Sequence, residues 1–217
     1  MIFFKNKLIF IHIPRTAGST IENFLWKQED EIKRTNRNLW MGFISKYSNE
    51  FQTGGLQHLT ADHVTKIYPK EMSEYFTFAF VRNPFTRIVS QYLYTINHRI
   101  DLQEYLDIDT NTPYEKYLEK IDKIDHVQWM PMHKFLLDES NNVKVKFIGH
   151  QENFKADFLK VLKKISINYN DDFLVQNKSK NNIIYKDFYK NKENIEFIEK
   201  KYKKDLEFFN YTFDDLS

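Results

Sequence analysis

The segment Pro14-Arg-Thr-Ala-Gly-Ser-Thr20 gathers hydroxyls, small residues and one guanidinium between an apolar run and an amphipathic stretch. Where a strand passes through such a loop into a helix, backbone N–H groups and the helix N-terminus converge on one anion-sized space. Arg15, Thr16, Ser19 and Thr20 add side-chain donors around Ala17 and Gly18. A Walker A loop needs Gly-x-x-x-x-Gly-Lys-Ser/Thr; this loop has one Gly and no Gly-Lys pair, which disfavours an ordinary Mg-dependent nucleotidase. A second cluster, Val81-Arg-Asn-Pro-Phe-Thr-Arg-Ile-Val-Ser-Gln-Tyr92, puts Arg82 at a strand end and Arg87 and Ser90 on one helix face. Such a face can grip a second phosphate, because a guanidinium donates two parallel hydrogen bonds to phosphate oxygens. Between the clusters, Gln57-His-Leu-Thr-Ala-Asp-His63 supplies His58 and His63, and a neutral imidazole is suited to accepting a hydroxyl proton near pH 7. Glu22, one helical turn after Gly18, is an alternative base or a carboxylate that orients the loop. The plainer readings are a strand-to-helix turn N-capped by Ser19 or Thr20, and surface arginines paired with carboxylates.

These groups have to be carried by regular elements, and the pattern supplies them. Leu8 to Ile13 reads as a strand with His12 inside it, followed by a loop and a helix over 19–27. Residues 28–55 are polar and aperiodic, a surface excursion. Tyr75 to Val81 is a second apolar strand, and Pro84 suits the first turn of the helix after it. Thr112-Pro113 opens a short helix, 143–148 alternates as a strand, 152–165 has helical spacing, and a last helix runs over 192–209. His126 and His133 lie seven apart on a possible helix and lack neighbouring acidic or sulfur ligands, so they read as packing or acceptor-side residues rather than a zinc pair. Strands alternating with helices predict an α/β fold with a mainly parallel central sheet covered on both faces, three layers in all, with ligands beyond the carboxyl ends of strands.

Composition limits the alternatives. Against 30 Asp plus Glu stand 32 Lys plus Arg, so the 217-residue chain is no polycation and no nucleic-acid partner is expected. With no Cys, thiolate metal sites, disulfides and a cysteine nucleophile are excluded. Lysines interrupt the apolar N-terminal residues too early for a signal core or a membrane span, and a cytoplasmic protein in a single domain over 1–217 is the expectation.

Taken together, Ile11-His-Ile-Pro-Arg-Thr-Ala-Gly-Ser-Thr-Ile-Glu22 and Phe80-Val-Arg-Asn-Pro-Phe-Thr-Arg-Ile-Val-Ser-Gln-Tyr92 resemble the two motifs with which sulfotransferases bind 3′-phosphoadenosine-5′-phosphosulfate (PAPS), most closely in the carbohydrate (heparan/chondroitin-type) branch. The resemblance continues through Phe147 to Asn153, Asn177-Lys-Ser179 and Tyr202-x-x-Asp205-x-x-x-Phe-x-Tyr211. It implies a P-loop-like fold, PAPS as co-substrate, no metal, and a carbohydrate or glycoconjugate hydroxyl as acceptor. By position, Arg15 to Thr20 would hold the 5′-phosphosulfate, Arg82 and Ser90 the 3′-phosphate, and Lys178 and Ser179 would lie near the nucleotide. The placement of His58 resembles that of the base His in several carbohydrate sulfotransferases, which favours it over His63. Arg15 stands where the family usually has Lys, with the task of neutralising the bridging oxygen of the leaving phosphate. Met132 stands where a family stretch often has Gln. The resemblance leaves two rivals: a P-loop small-molecule kinase, which would need Mg²⁺ and a Walker-type Lys, and a nucleotide- or glycan-binding module that has lost transfer.

Overall fold

The computed structural model describes residues 1–26, 58–167 and 183–216. It is an α/β protein whose described residues form a four-stranded, mostly parallel sheet with helices around it. The chain forms two compact units, one of residues 1–81 and 134–180, the other of 82–133 and 181–217.

Among the described residues the first unit holds the whole sheet, in the order β1 (Ile2–Phe3), β2 (Leu8–Ile11), β3 (Phe76–Val81) and β4 (Phe147–His150). β2 pairs in parallel with β3 (Leu8 opposite Phe76) and β3 with β4 (Phe78 opposite Phe147); only β1 is antiparallel, Ile2 facing Ile9. Every residue of β2, and all of β3 after Phe76, is buried, as expected of parallel strands covered on both faces. Helices α1 (Gly18–Trp26), α2 (Ala61–Ile67) and α3 (Pro69–Glu74) belong to this unit. Later in the chain the fully buried Phe158 packs edge-on against Phe24 of α1 and Phe80 of β3, which docks its helix on the sheet.

The strand expected at 143–148 is displaced to Phe147–His150. Val143 instead bridges Leu137 across a tight turn, and Lys146 donates its N–H to the carbonyl of Thr77. Alternation shows which face is buried, not which segment supplies the ladder partner, so it ran the turn and the strand together.

The second unit is helical: α4 (Pro84–His98), α5 (Ile100–Leu106) and α6 (Tyr114–Asp122), then, beyond α7 (His133–Leu136), where the chain returns to the first unit, and that unit's α8 (Phe154–Lys164), α9 (Lys192–Lys201) and α10 (Lys203–Phe209). Its core is rich in tyrosines, and the buried hydroxyls find partners. Tyr189 donates to the Phe85 carbonyl at 2.8 Å, Tyr202 to the Trp129 carbonyl at 2.8 Å, and Tyr114 shares a bond with Tyr189 at 2.8 Å. Burial pushes all three phenols up, so they stay neutral donors. The single helix expected over 192–209 is two: the fully buried Tyr202, drawn to Trp129, leaves helical geometry with φ −113° and ψ 20° and separates α9 from α10. Among the described residues no helix is long and apolar enough to cross a membrane.

Candidate anion and proton-transfer site

In the first unit, β2 delivers the chain to the predicted anion loop, which ends in α1. Arg15 and Ala17 both adopt left-handed backbone, φ 67° and 70°. For residues with a Cβ this costs about 1–2 kcal/mol each, and left-handed residues within a loop turn neighbouring N–H groups towards one side, the geometry of an anion nest. The carbonyl of Ala17 accepts the first helical bonds, from Thr20 N at 3.0 Å and Ile21 N at 3.3 Å. No carboxylate lies in the first turn of α1, so nothing there offsets its positive end. Arg15 and Thr20 are half-buried and Ser19 is exposed. Thr16 differs: it is fully buried, and its hydroxyl donates to the Ile13 carbonyl at 2.9 Å, which ties the loop's two sides together and leaves the residue its backbone for any ligand.

Below the loop lies a group of contacts invisible to local pattern. His12, one residue past β2 and 4% exposed, donates from Nδ1 to Glu22 Oε1 at 2.7 Å. Glu22 is itself buried, which makes it an orienting carboxylate rather than one turned to solvent. His58 places Nδ1 2.9 Å from the His12 carbonyl. A carbonyl only accepts, so Nδ1 carries the hydrogen, and in the neutral ring Nε2 carries the lone pair. His58 is held in left-handed backbone, φ 67°, a strained setting typical of functional positions. His63 lies in α2, where its N–H completes the cap made by Thr60 Oγ1 at 3.2 Å.

In the second unit, Asn83 caps α4 by accepting from Phe85 N at 3.0 Å, with Pro84 in the first turn as expected. Arg82 lies just ahead of that cap. Its Nε donates to Thr86 Oγ1 at 2.9 Å and its Nη2 to Tyr185 OH at 2.7 Å, with the guanidinium 5.4 Å from the centre of the Tyr185 ring. Thr86 and Ser90 are four apart and share one stripe of α4, and Arg82, outside the helix, reaches that stripe through its bond to Thr86. Tyr185, which orients the fork from about 100 residues away in sequence, carries no local signal that could have marked it.

Arg87 does not share that stripe. It is fully buried, with Nη2 3.5 Å from the Gln128 carbonyl and its guanidinium 6.0 Å from the Tyr202 ring centre, and burial is the main cause of its lowered pKa. Spacing alone placed it beside Ser90 because three residues make 300° of helix, close enough to share a face only at its edge.

The two histidines of the 126–133 segment are not on one helix. His133 opens α7 and bonds Asp205 through Nδ1 at 2.6 Å; Asp205, wholly buried, also accepts from Met132 N and His133 N. Met132 is buried with its Sδ 3.4 Å from Arg82 N, a packing position. His126 lies between the rings of Tyr105 and Trp129, 5.4 and 5.2 Å away. Burial, assisted by Arg99 and opposed by Asp101 and Asp125, pushes its pKa down to about 4. The folded protein keeps this ring neutral while the unfolded chain protonates it near the ordinary imidazole value, so its stabilising contribution, intact above about pH 6.5, is lost as pH falls towards 4. Thermal melts at pH 7 and pH 5 are expected to show a smaller loss for His126→Asn than for the parent; equal losses would refute this.

Lys178 and Ser179 lie outside the described residues. Among the described residues, no group of three or more His, Cys, Asp or Glu could hold a metal ion. A family profile described as "Sulfotransferase family" matches residues 1–212. An uncharacterized protein of Archaeoglobus fulgidus is 28% identical over 106 residues, 47% of this chain and 77% of that protein. No solved structure matches.

Proposed function

The chain belongs to the sulfotransferase family, and from that premise we propose that it transfers a sulfuryl group from PAPS to a hydroxyl of a carbohydrate or glycoconjugate by in-line displacement, as one catalytic domain. The acceptor oxygen bonds to sulfur as the bond from sulfur to the bridging phosphate oxygen breaks, and 3′-phosphoadenosine-5′-phosphate leaves. His58 Nε2 takes the acceptor's proton, and Arg15 meets the negative charge that grows on the bridging oxygen. The loop from Arg15 to Thr20 takes the 5′-phosphosulfate, and Arg82 with Ser90 takes the 3′-phosphate; the family pattern adds Lys178 and Ser179 to the nucleotide contacts. Protein cations do the work that Mg²⁺ does in a kinase.

The observation that carries this reading is the Arg82 fork, already oriented by Thr86, four residues before Ser90 on α4, and by Tyr185. A ligand bearing a phosphate at the 3′ position then gains charge-assisted bonds without the entropy of ordering the guanidinium. The test is a comparison of nucleotides by thermal shift. 3′-Phosphoadenosine-5′-phosphate is expected to raise Tm more than ATP at equal concentration, since stabilisation follows affinity for the folded state. Equal shifts would remove the reading. Transfer from PAPS in excess EDTA should match transfer without it, and metal dependence would favour the kinase.

A further inference from the structure

We propose that His12 is a positioning residue that sets the anion loop and the proton acceptor His58 from one point. Its kinetic part rests on the sulfotransferase reading; its structural part does not. Four contacts hold the ring. Nδ1 is bonded to the buried Glu22 of α1, and the ring face lies on Phe10 of β2, centroids 5.5 Å apart and planes 20° apart. The edge bearing Nε2 and Cδ2 lies against Gly18, so closely that a Cβ added there would collide with the ring. The His58 ring meets it edge-on at 4.5 Å, while the His12 carbonyl accepts from His58 Nδ1.

The contacts with Glu22, Phe10 and His58 restrain the ring against moving off Gly18. Moving away from Gly18 would break a buried bond to a carboxylate or press into Phe10, and buried charge-assisted bonds are costly to lose. Gly18 is then required by a tertiary contact rather than by backbone conformation: only a residue without a side chain lets α1 begin over an imidazole. The backbone carbonyl of His12 accepts from His58 Nδ1, a bond that His12→Ala keeps, so the loss expected in that variant comes from the ring's contacts with His58 and Gly18.

The decisive measurement is a double-mutant cycle between Gly18→Ala and His12→Ala, read as the Kd of 3′-phosphoadenosine-5′-phosphate by calorimetry. Gly18→Ala alone is expected to weaken binding more than about tenfold, whereas the double variant should lie within about threefold of His12→Ala, since the added methyl then has room. Should Gly18→Ala alone not fold, the double variant should. In single turnover at saturating PAPS, His12→Ala is expected to transfer about tenfold more slowly, and His12→Asn, whose Nδ2 can still reach Glu22, should recover much of that loss. Multiplying effects in the cycle, a double variant that does not fold, or a parental rate in His12→Ala would each overturn the proposal. If the parent bound no 3′-phosphoadenosine-5′-phosphate, the sulfotransferase reading would fail on its own. The cycle would then be read in Tm, where relief of the clash is still expected and additive losses would sink the structural part too.

Discussion

His58→Ala is expected to lose about two to four orders of magnitude in sulfuryl transfer while binding 3′-phosphoadenosine-5′-phosphate nearly as well as the parent, the range usual for general-base catalysis. Binding and chemistry should separate because, in the proposed mechanism, the imidazole meets the acceptor and the loop meets the donor. The geometry supports this assignment. Nδ1 is committed to the His12 carbonyl, which fixes the neutral tautomer with its lone pair on Nε2, and the ring packs edge-on against that of His12. His63→Ala should lose far less, because His63 serves the α2 cap through its backbone N–H, which alanine retains. Single-turnover transfer by both variants at saturating PAPS decides between them, and a larger loss for His63→Ala would move the base to that residue. Glu22 is a poor substitute in either case, since it is buried and bonded to His12.

Arg15→Ala should lower the transfer rate constant by about a hundredfold, with a smaller change in nucleotide affinity, because a group that meets charge developing on the leaving oxygen acts in the transition state more than in the ground state. Arg15→Lys should retain or improve turnover: a compact ammonium suits one developing charge at least as well as a planar fork. The left-handed backbone at Arg15 is a feature of the loop, so both variants keep the same backbone demand and differ only beyond Cβ. Pre-steady-state rates and equilibrium binding, measured on the same preparations, separate the two effects. An alanine variant with parental turnover would show that the leaving oxygen is met by other groups.

Much of this protein was legible as local pattern. Apolar runs bounded by Pro and small residues marked β2 and β3, since a parallel strand buried on both faces has to be continuously apolar, and Asn83-Pro84 marked the start of α4 because only certain residues satisfy a helix's first N–H groups. The loop from Arg15 to Thr20, the Arg82 and Ser90 pair and His58 stood out as candidates for the same reason: chemistry on anions and protons admits few residue types, so type and order nominate them. What order along the chain could not determine was which side chains meet across it. Arg87 shares a segment with Arg82, yet it is buried against Tyr202 while Arg82 turns to Thr86 and Tyr185. His12 looked like an ordinary strand residue until the fold brought Glu22, Gly18 and His58 around it. A helix that periodicity would have continued breaks at Tyr202, which is buried and bonds a carbonyl 73 residues away. Propensity and periodicity act over a few residues, whereas burial, tautomer and the direction of a charged fork depend on partners brought close only by folding.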